Sequence, residues 1–394
     1  MEFIDQISNK SRAHKISRRD LLKMSITSAC ATGLFLMSGK DNKAYAQTES
    51  TKIEDDSKYI IEARYYEKLP ESRVKCVLCP RECTVADMER GGCGVRENHQ
   101  GIYRTLVYSR VCSLNIDPIE KKPLFHYLPG TTALSLATAG CNIECKFCQN
   151  WEISQFRPEE VRAAYLPPEA IAEAAKKQNT PTIAYTYSEP VIFYEYMFDT
   201  AKAGHKLGIK SVMISNGYIQ EKPLRELCSH LDAVKIDFKG YTENFYKEYC
   251  GGELKPVLNT LKLLKEIGIW FEMVDLIVPT LNDSEKEIDE MTKWIMDNLG
   301  PDVPLHFTRF HPAYKIKNLP STPLKTIERC YDIATKNGLH YVYIGNIPGH
   351  KGEKTFCPNC KTLLIDRIGF YIQSNKIKDN KCPSCQTKIP GKWS

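Results

Sequence analysis

The sequence predicts an α/β protein: a barrel or partial barrel of parallel strands with a small cysteine-rich module on either side. Two observations carry the fold class. From residue 131 onward, short apolar runs alternate with longer segments of helical period. Polar residues then gather just past the C-terminal ends of those runs, where such a barrel places its chemistry. A third observation carries the modules. Eleven of the 16 cysteines fall in three tight groups, at 76–93, 141–148 and 357–385. Such grouping favours metal ligation over a secreted disulfide scaffold. The isolated Cys30, Cys112, Cys228, Cys250 and Cys330 read as small, buried hydrophobes.

Taken from the N-terminus, Ser17-Arg18-Arg19-Asp20-Leu21-Leu22-Lys23 reads as a twin-arginine export motif, with Leu21 where Phe is commoner. A mildly apolar stretch runs from Met24 to Met37, and Ala44-Tyr45-Ala46 offers a cleavage site before Gln47. The apolar stretch, about 14 residues, is too short to span a bilayer core of roughly 30 Å. Residues 1–46 are therefore expected to be a leader that directs export to the periplasm, a cytoplasmic location being the alternative. No transmembrane segment is expected. Residues 47–72 read as a polar linker, 73–130 as a Cys-rich region, 131–350 as the core and 354–394 as a terminal module.

The expected strands are Ala133–Ala137, Thr182–Tyr187, Lys210–Ser215, Ala233–Phe238, Phe271–Val278, Leu305–Phe310 and Tyr341–Gly345. Helices are expected over Pro167–Gln178, Val191–Leu207, Leu254–Ile267, Glu285–Leu299 and Pro323–Lys336, with Pro at the start of the first. Beyond the strand ends stand the cysteine loop, Ser188-Glu189-Pro190, Asn216-Gly217, Asp237 with Lys239, and Arg309 with His311. Singly, each reads equally as a cap or turn residue, Glu189 and Pro190 in particular. Their shared placement is what points to a site.

Charge excludes one class of partner. The net charge is +6, but residues 1–46 hold eight Lys/Arg and four Asp/Glu, which leaves 46 against 44, or +2, for the rest. No basic stripe of the kind that binds nucleic acid is present.

The most informative motif is AGCNIECKFCQN, where Cys141, Cys145 and Cys148 follow a C-x3-C-x2-C spacing. Three thiolates on one loop hold three irons of a 4Fe–4S cluster and leave the fourth open for a substrate, whereas an electron-carrying ferredoxin closes all four. A structural zinc or buried thiols are the alternative. Cys357-x2-Cys360-x21-Cys382-x2-Cys385 pairs two C-P-x-C knuckles. That pattern reads as a zinc ribbon, with a rubredoxin-like iron site as the competitor. Cys76-x2-Cys79-x3-Cys83-x9-Cys93 fits either a closed zinc site or an auxiliary 4Fe–4S cluster, and a structural metal is the expectation.

The three-cysteine run, with Phe147 before its last cysteine, resembles the signature of the radical S-adenosylmethionine (SAM) enzymes. CVLCPREC, GGCGVREN, DPIEKKPLFHYLPG, YTYSEP, ISNGY, KIDFKG, TRFHPAYK, YVYIGNIPG and the terminal CPNC…CPSC…IPGKW extend the likeness over residues 73–394. They make the chain similar to pyruvate formate-lyase activating enzymes and to the radical SAM member of the AmmeMemoRadiSam system. The resemblance implies a partial (β/α)6 TIM-type barrel, a 4Fe–4S cluster on Cys141, Cys145 and Cys148, and SAM as cofactor. It places Phe147 near the adenine, Glu189 on the methionyl amine, Asn216 near the methionyl carboxylate or ribose, and Asp237 and Lys239 beside SAM. YSEP replaces the family's usual GGE-type run at Glu189.

An enzyme of this kind takes electrons from a low-potential donor and forms a 5′-deoxyadenosyl radical that abstracts hydrogen from its substrate. The substrate, a small molecule or a polypeptide, is not written in the sequence. A glycyl-radical-enzyme activase is one form of this reading. Two other classes stand beside it: a non-catalytic iron–sulfur electron carrier, and a metal-dependent scaffold that docks a partner through its terminal ribbon.

Overall fold

Eight strands form the central sheet of the computed structural model, which describes residues 56–394. The twin-arginine leader and residues 47–55 lie outside the described residues. The strands are β1 (Ser113–Pro118), β2 (Thr132–Ala137), β3 (Thr182–Tyr185), β4 (Lys210–Ser215), β5 (Ala233–Asp237), β6 (Trp270–Ile277), β7 (Leu305–Arg309) and β8 (Val342–Gly345). Each lies next to its neighbour in sequence. β2 to β8 are parallel, and β1 pairs antiparallel with β2 from Ser113 opposite Ala137 to Pro118 opposite Thr132.

Six helices make the crossovers: α1 (Pro168–Lys177), α2 (Tyr194–Lys206), α3 (Glu221–Cys228), α4 (Leu254–Ile267), α5 (Glu285–Leu299) and α6 (Leu324–Lys336). Six strand–helix units therefore follow one another, as the (β/α)6 expectation has it, with a seventh parallel strand after the last helix. Local chemistry sets the helix ends. Pro168 opens α1 without giving up a needed N–H, and Ser284 Oγ accepts from the Glu287 N–H at 3.2 Å to cap α5. Gly268, at φ 78°, stops α4 in a conformation that penalises a Cβ.

Three expectations need correction. Residues 56–72, read as linker, are folded: Ile61–Glu62 pairs with Ile102–Thr105, and Tyr66–Lys68 pairs with Val74–Cys76. The 73–130 region is not separate from the core, because β1 is an edge strand of the main sheet. Its Leu114 and Ile116 alternate with Ser113, Asn115 and Asp117, a weak signal beside the apolar runs of the inner strands. α3 was not anticipated either. Its eight residues bury only Pro223, Leu224, Leu227 and Cys228, too short a stretch to show a period.

The segment between β1 and β2 closes the floor of the barrel. Ile119, Leu124 and Tyr127 pack with Ala133, Ala184, Val212 and Ala233 of four adjacent strands. The small side chains on those strands leave room for the Tyr127 ring. Above this floor lies a polar layer: the Glu272 carboxylate accepts from the N–H groups of Phe125 and His126 at 2.9 and 2.8 Å and pairs with His306 at 2.8 Å.

The terminal module is a three-stranded antiparallel sheet, Thr355–Phe356, Leu363–Ile368 and Tyr371–Asn375. Its Leu364, Ile365 and Ile389 pack on Phe125, Tyr341 and Tyr343 of the barrel. Arg367, fully buried, donates to the Phe125 carbonyl at 2.6 Å and lies over the Phe125 ring. Among the described residues no helix is long and apolar enough to cross a membrane.

Candidate functional site

A cavity of about 460 Å³ opens at the C-terminal ends of the strands. Cys141, Cys145, Cys148, Phe147, Glu189, Asn216, Asp237 and Lys239 all line it. Residues spread over about a hundred positions of sequence thus meet in one place, because they stand at or just past the ends of four neighbouring strands, β2 to β5, of one sheet.

The cysteine loop follows β2, and its backbone is clamped from outside. The N–H groups of Glu144 and Lys146 donate to the carbonyls of Cys250 and Tyr249 at 2.7 and 2.8 Å. Gly140, just before the loop, has φ 101°, and a Cβ there would stand 2.5 Å from Val95. Only glycine fits that approach. Cys145 is buried and its thiol is drawn below the ordinary range, first by a hydrogen bond to Cys250. Burial pushes the thiols of Cys141 and Cys148 up. Phe147, also buried, stacks on Phe245 with ring centroids 5.8 Å apart.

Glu189 is both the cap and the cavity group that the sequence left as alternatives. Its carboxylate accepts from the Val191 N–H at 3.1 Å at the start of a helical turn. It also accepts from Ser215 Oγ at 2.7 Å and from the Asn216 N–H at 2.8 Å. Burial raises its pKa to about 7, with these hydrogen bonds pulling the other way. A carboxylate has about four acceptor positions, so it retains capacity for one more donor. Tyr187, at φ 66°, makes the turn that delivers Glu189.

Asn216 is spent largely on the protein. Its Nδ2 donates to Asn142 Oδ1 at 2.9 Å and lies 3.9 Å from Cys141 Sγ, while its Oδ1 accepts from the Tyr218 N–H at 2.8 Å. It ties the end of β4 to the cysteine loop. Asp237 sits between Lys235, in direct contact, and Lys239 at 3.4 Å. Burial works against its charge, but the two ammonium groups win and hold the carboxyl below its usual range.

Arg309 and His311 do not join the cavity. Arg309 Nε donates to the Thr322 carbonyl at 2.8 Å, and His311 Nδ1 meets Ser321 Oγ at 3.0 Å on the surface. From β7 it is His306 and Thr308 that face inward.

Sequence reading missed several lining residues. Lys235 shares a face with Asp237 by the two-residue strand period, so Asp237 alone was enough to flag it. Lys122, fully buried, is paired with Asp117 at 2.6 Å, and Asp117 also accepts from the Tyr187 hydroxyl. Burial brings Lys122 down to about 8, with Asp117 opposing. Cys250, outside the cavity lining but beside Cys145, had no local signal; only folding brings the two together. Gly369, Phe370 and Glu353 of the terminal module complete the wall.

The two flanking cysteine groups differ in geometry. Cys357 and Cys385 stand 3.5 Å apart, Cys360 and Cys382 3.6 Å apart, and all four sulfurs lie within 4.8 Å of one another. With metal–sulfur bonds of about 2.3 Å, a tetrahedral zinc separates its sulfurs by about 3.8 Å, so the donor set fits a single ion. Cys76, Cys79, Cys83 and Cys93 are also brought together, but more loosely. The Cys76 N–H donates to the Cys83 carbonyl at 2.9 Å, and the Gly92 N–H points to Cys83 Sγ at 3.4 Å.

Residues 135–295 match the family model of the radical SAM superfamily. An uncharacterized protein of Methanocaldococcus jannaschii is 48% identical over 330 residues, which cover 83% of this chain and 98% of that one. The pyruvate formate-lyase-activating enzyme of Clostridium pasteurianum is 24% identical over 162 residues, covering 40% of this chain and 66% of that enzyme. Among solved structures, a radical SAM methyltransferase from Sphaerobacter thermophilus aligns with a TM-score of 0.44 at 13% identity, over 58% of this chain and 71% of that one. The family match begins in β2, runs through the three-cysteine loop and ends within α5, and on these grounds the chain belongs to the radical SAM superfamily.

Proposed function

We propose that the cavity binds a 4Fe–4S cluster and SAM together, and that the chain is a hydrogen-abstracting enzyme. The observation that carries this reading is the convergence of Cys141, Cys145 and Cys148 with Glu189, Asn216, Asp237 and Lys239 around one cavity. The donor set fits a cluster better than a single ion. Among the described residues only the terminal cysteines form a group of three or more sulfurs within 4.8 Å of one another, so the three loop sulfurs are not gathered as around one tetrahedral ion. Three thiolates also leave one iron of a four-iron cluster open.

When bound and reduced, the cluster and SAM supply a 5′-deoxyadenosyl radical that takes a hydrogen atom from a substrate. The protein's own part is binding and orientation. Glu189, ionised, offers its remaining acceptor position to the methionyl ammonium, a charge-assisted contact. Asn216 fixes the cysteine loop against β4 through Asn142 and so would hold in place the thiolates that carry the cluster. Lys239 and Asp237 present a cation and an anion to a cofactor that carries both signs of charge. Phe147, stacked on Phe245, supplies a flat apolar face for the adenine. The terminal module, through Phe370, narrows access of water to the cavity.

A non-catalytic electron carrier has no use for a cavity lined with Glu189, Lys235 and Asp237. An activase acting on a polypeptide glycine remains one form of the enzymatic reading, with the likeness to the activating enzymes in its favour. The test is anaerobic reconstitution of residues 47–394 with iron and sulfide, followed by reduction with SAM present. Formation of 5′-deoxyadenosine, lost in Cys145→Ala, supports the proposal. A fully loaded cluster that neither binds nor cleaves SAM would sink it.

A further inference from the structure

We propose that Cys76, Cys79, Cys83 and Cys93 hold a second 4Fe–4S cluster, closed by four thiolates, which hands electrons to the cluster site on Cys141, Cys145 and Cys148. The identity of the ligand follows from geometry. A zinc ion draws its four sulfurs to about 3.8 Å from one another, as the terminal group shows in this same chain. The N-terminal group does not do this: among the described residues, no three ligand atoms outside the terminal module lie within 4.8 Å of each other. A four-iron cluster gives each cysteine its own iron and so needs its sulfurs wider apart than a single ion does. Neither the N-terminal cysteines nor the Cys141 loop draws three sulfurs within 4.8 Å of one another.

The four cysteines are nonetheless one cluster of side chains. Hydrogen bonds hold them together: the Cys76 N–H donates to the Cys83 carbonyl at 2.9 Å, the Glu82 N–H to the Cys79 carbonyl at 3.1 Å, and the N–H of Gly92, next to Cys93, to Cys83 Sγ at 3.4 Å. The Arg96 carbonyl accepts from the Gly91 N–H at 2.9 Å and so joins the same turn. Arg96 is 1% exposed, and its Nε finds no hydrogen-bond partner among the described residues. Arg96 is paired with Glu195 through Nη2, which leaves its Nε–H, like the Gly92 N–H on Cys83 Sγ, as a donor of the kind that anionic thiolates accept.

Position supplies the role. The Cys93 carbonyl oxygen stands 3.1 Å from where a Cβ on Gly140 would be, and Gly140 directly precedes Cys141. Arg81, between Cys79 and Cys83, donates to the carbonyls of Asn142, in direct contact, and Gly251, at 2.8 Å. The two cysteine groups are therefore separated by little more than one layer of backbone. On its other side the N-terminal group approaches solvent, through Gly92 and the partly exposed Cys83. One electron enters from a low-potential flavin or iron–sulfur protein, reduces this cluster, and leaves for the first, returning the second to its oxidised state. No bond forms or breaks and no proton moves. The relay rests on the reading of the first site given above; the existence of the second cluster does not.

Iron, sulfide and zinc contents of anaerobically reconstituted protein test it. We expect about eight irons, about eight sulfides and about one zinc per chain, the zinc in the terminal module. About four irons with two zincs would overturn the proposal and leave the first site standing. The Cys141/Cys145/Cys148→Ala variant should keep about four irons and an electron paramagnetic resonance signal on reduction. Four irons in both this variant and the parent would instead remove the first cluster and keep the second. Should the variant fail to fold, the parent's metal count decides alone. In the doubly reduced parent the two signals should be broadened by their mutual coupling; two independent signals would overturn the relay.

Discussion

Arg96 and Glu195 meet face to face: Arg96 Nη2 lies 2.7 and 2.6 Å from the two carboxylate oxygens of Glu195, and both side chains are almost wholly buried. The same carboxylate accepts from the Arg64 N–H at 2.6 Å, and Arg96 Nη1 donates to the Arg64 carbonyl at 3.0 Å. Arg96 belongs to the Cys-rich region and Glu195 to α2. The pair thus fixes the N-terminal cysteines to the barrel that carries the cavity.

Breaking one side of a buried pair leaves the other charge uncompensated, which costs about 3–5 kcal/mol, whereas replacing both with apolar groups is often neutral. Arg96→Met is therefore expected to lose about that much in urea unfolding, and Arg96→Met/Glu195→Met to recover most of it. Equal losses in the single and double variants would show that burial of these side chains, not their pairing, sets the stability.

Within the cavity, Glu189→Gln keeps the shape but removes the charge offered to an ammonium. A hydrogen bond to a charged group contributes about 1.5–3 kcal/mol, so SAM affinity should fall by roughly 10- to 100-fold above about pH 7, where the Glu189 carboxyl is ionised. Titration calorimetry on the reconstituted protein measures this. Unchanged affinity would assign Glu189 to capping alone.

Cys250 offers a sharper discrimination. It is buried beside Cys145, yet it does not line the cavity. Cys250→Ala should retain the iron content of the parent, whereas Cys145→Ala should lose the SAM-cleaving cluster and all 5′-deoxyadenosine formation. Loss of iron in Cys250→Ala would mean that the cluster loop has four protein ligands and no open iron.

The sequence made the barrel legible because its inner strands are continuous apolar runs and its helices carry caps and periods. The edge strand β1, with half its residues polar, and the short α3 carry too little pattern to be seen. The cavity was legible where chemistry stands at strand ends, as with Glu189 and Asp237. Lys122 and Asp117 were not, since Lys122 lies in the irregular segment between β1 and β2 and Asp117 near the end of the half-polar edge strand β1. Arg309 and His311 sit one or more residues past the inward-facing positions of β7, and a shift of one residue turns a side chain to the other face. Spacing alone did not choose a metal for Cys76, Cys79, Cys83 and Cys93, because distances between sulfurs are a property of the fold.

The terminal module is bound to the barrel through its own core, not merely tethered. Cys357 and Cys382 are part of the cluster that includes Phe125 and Tyr343. A small metal-held module unfolds when its ion is removed, and here that would uncover Phe125 and the Arg367 contact. Cys360→Ser is therefore expected to lower the melting temperature of the whole described unit, and to increase proteolysis first within residues 354–394. An unchanged melting temperature would show that the barrel holds without it.

His126 gives the fold a defined acid limit. It is fully buried, with Nδ1 2.7 Å from the Pro390 carbonyl and Nε2 2.6 Å from the Tyr343 hydroxyl. The carbonyl can only accept, so Nδ1 carries the proton and Nε2 accepts from Tyr343, which is the neutral ring. Burial pushes the imidazole down to about 4. An unfolded histidine titrates near 6.5, so between about pH 6.5 and 4 the unfolded chain takes up a proton that the native state refuses. Stability contributed by the neutral ring is complete above about pH 6.5 and is lost as pH falls through that window, by about 3 kcal/mol in all. His126→Gln lacks this titration, so its stability should fall less steeply than the parent's between pH 6.5 and 4, as read from urea midpoints at each pH. His306 is also pushed down by burial and remains in both proteins, so the difference between the two curves isolates His126. Parallel curves would mean that the His126 ring is protonated in the native protein, with the Pro390 and Tyr343 contacts reorganised around it.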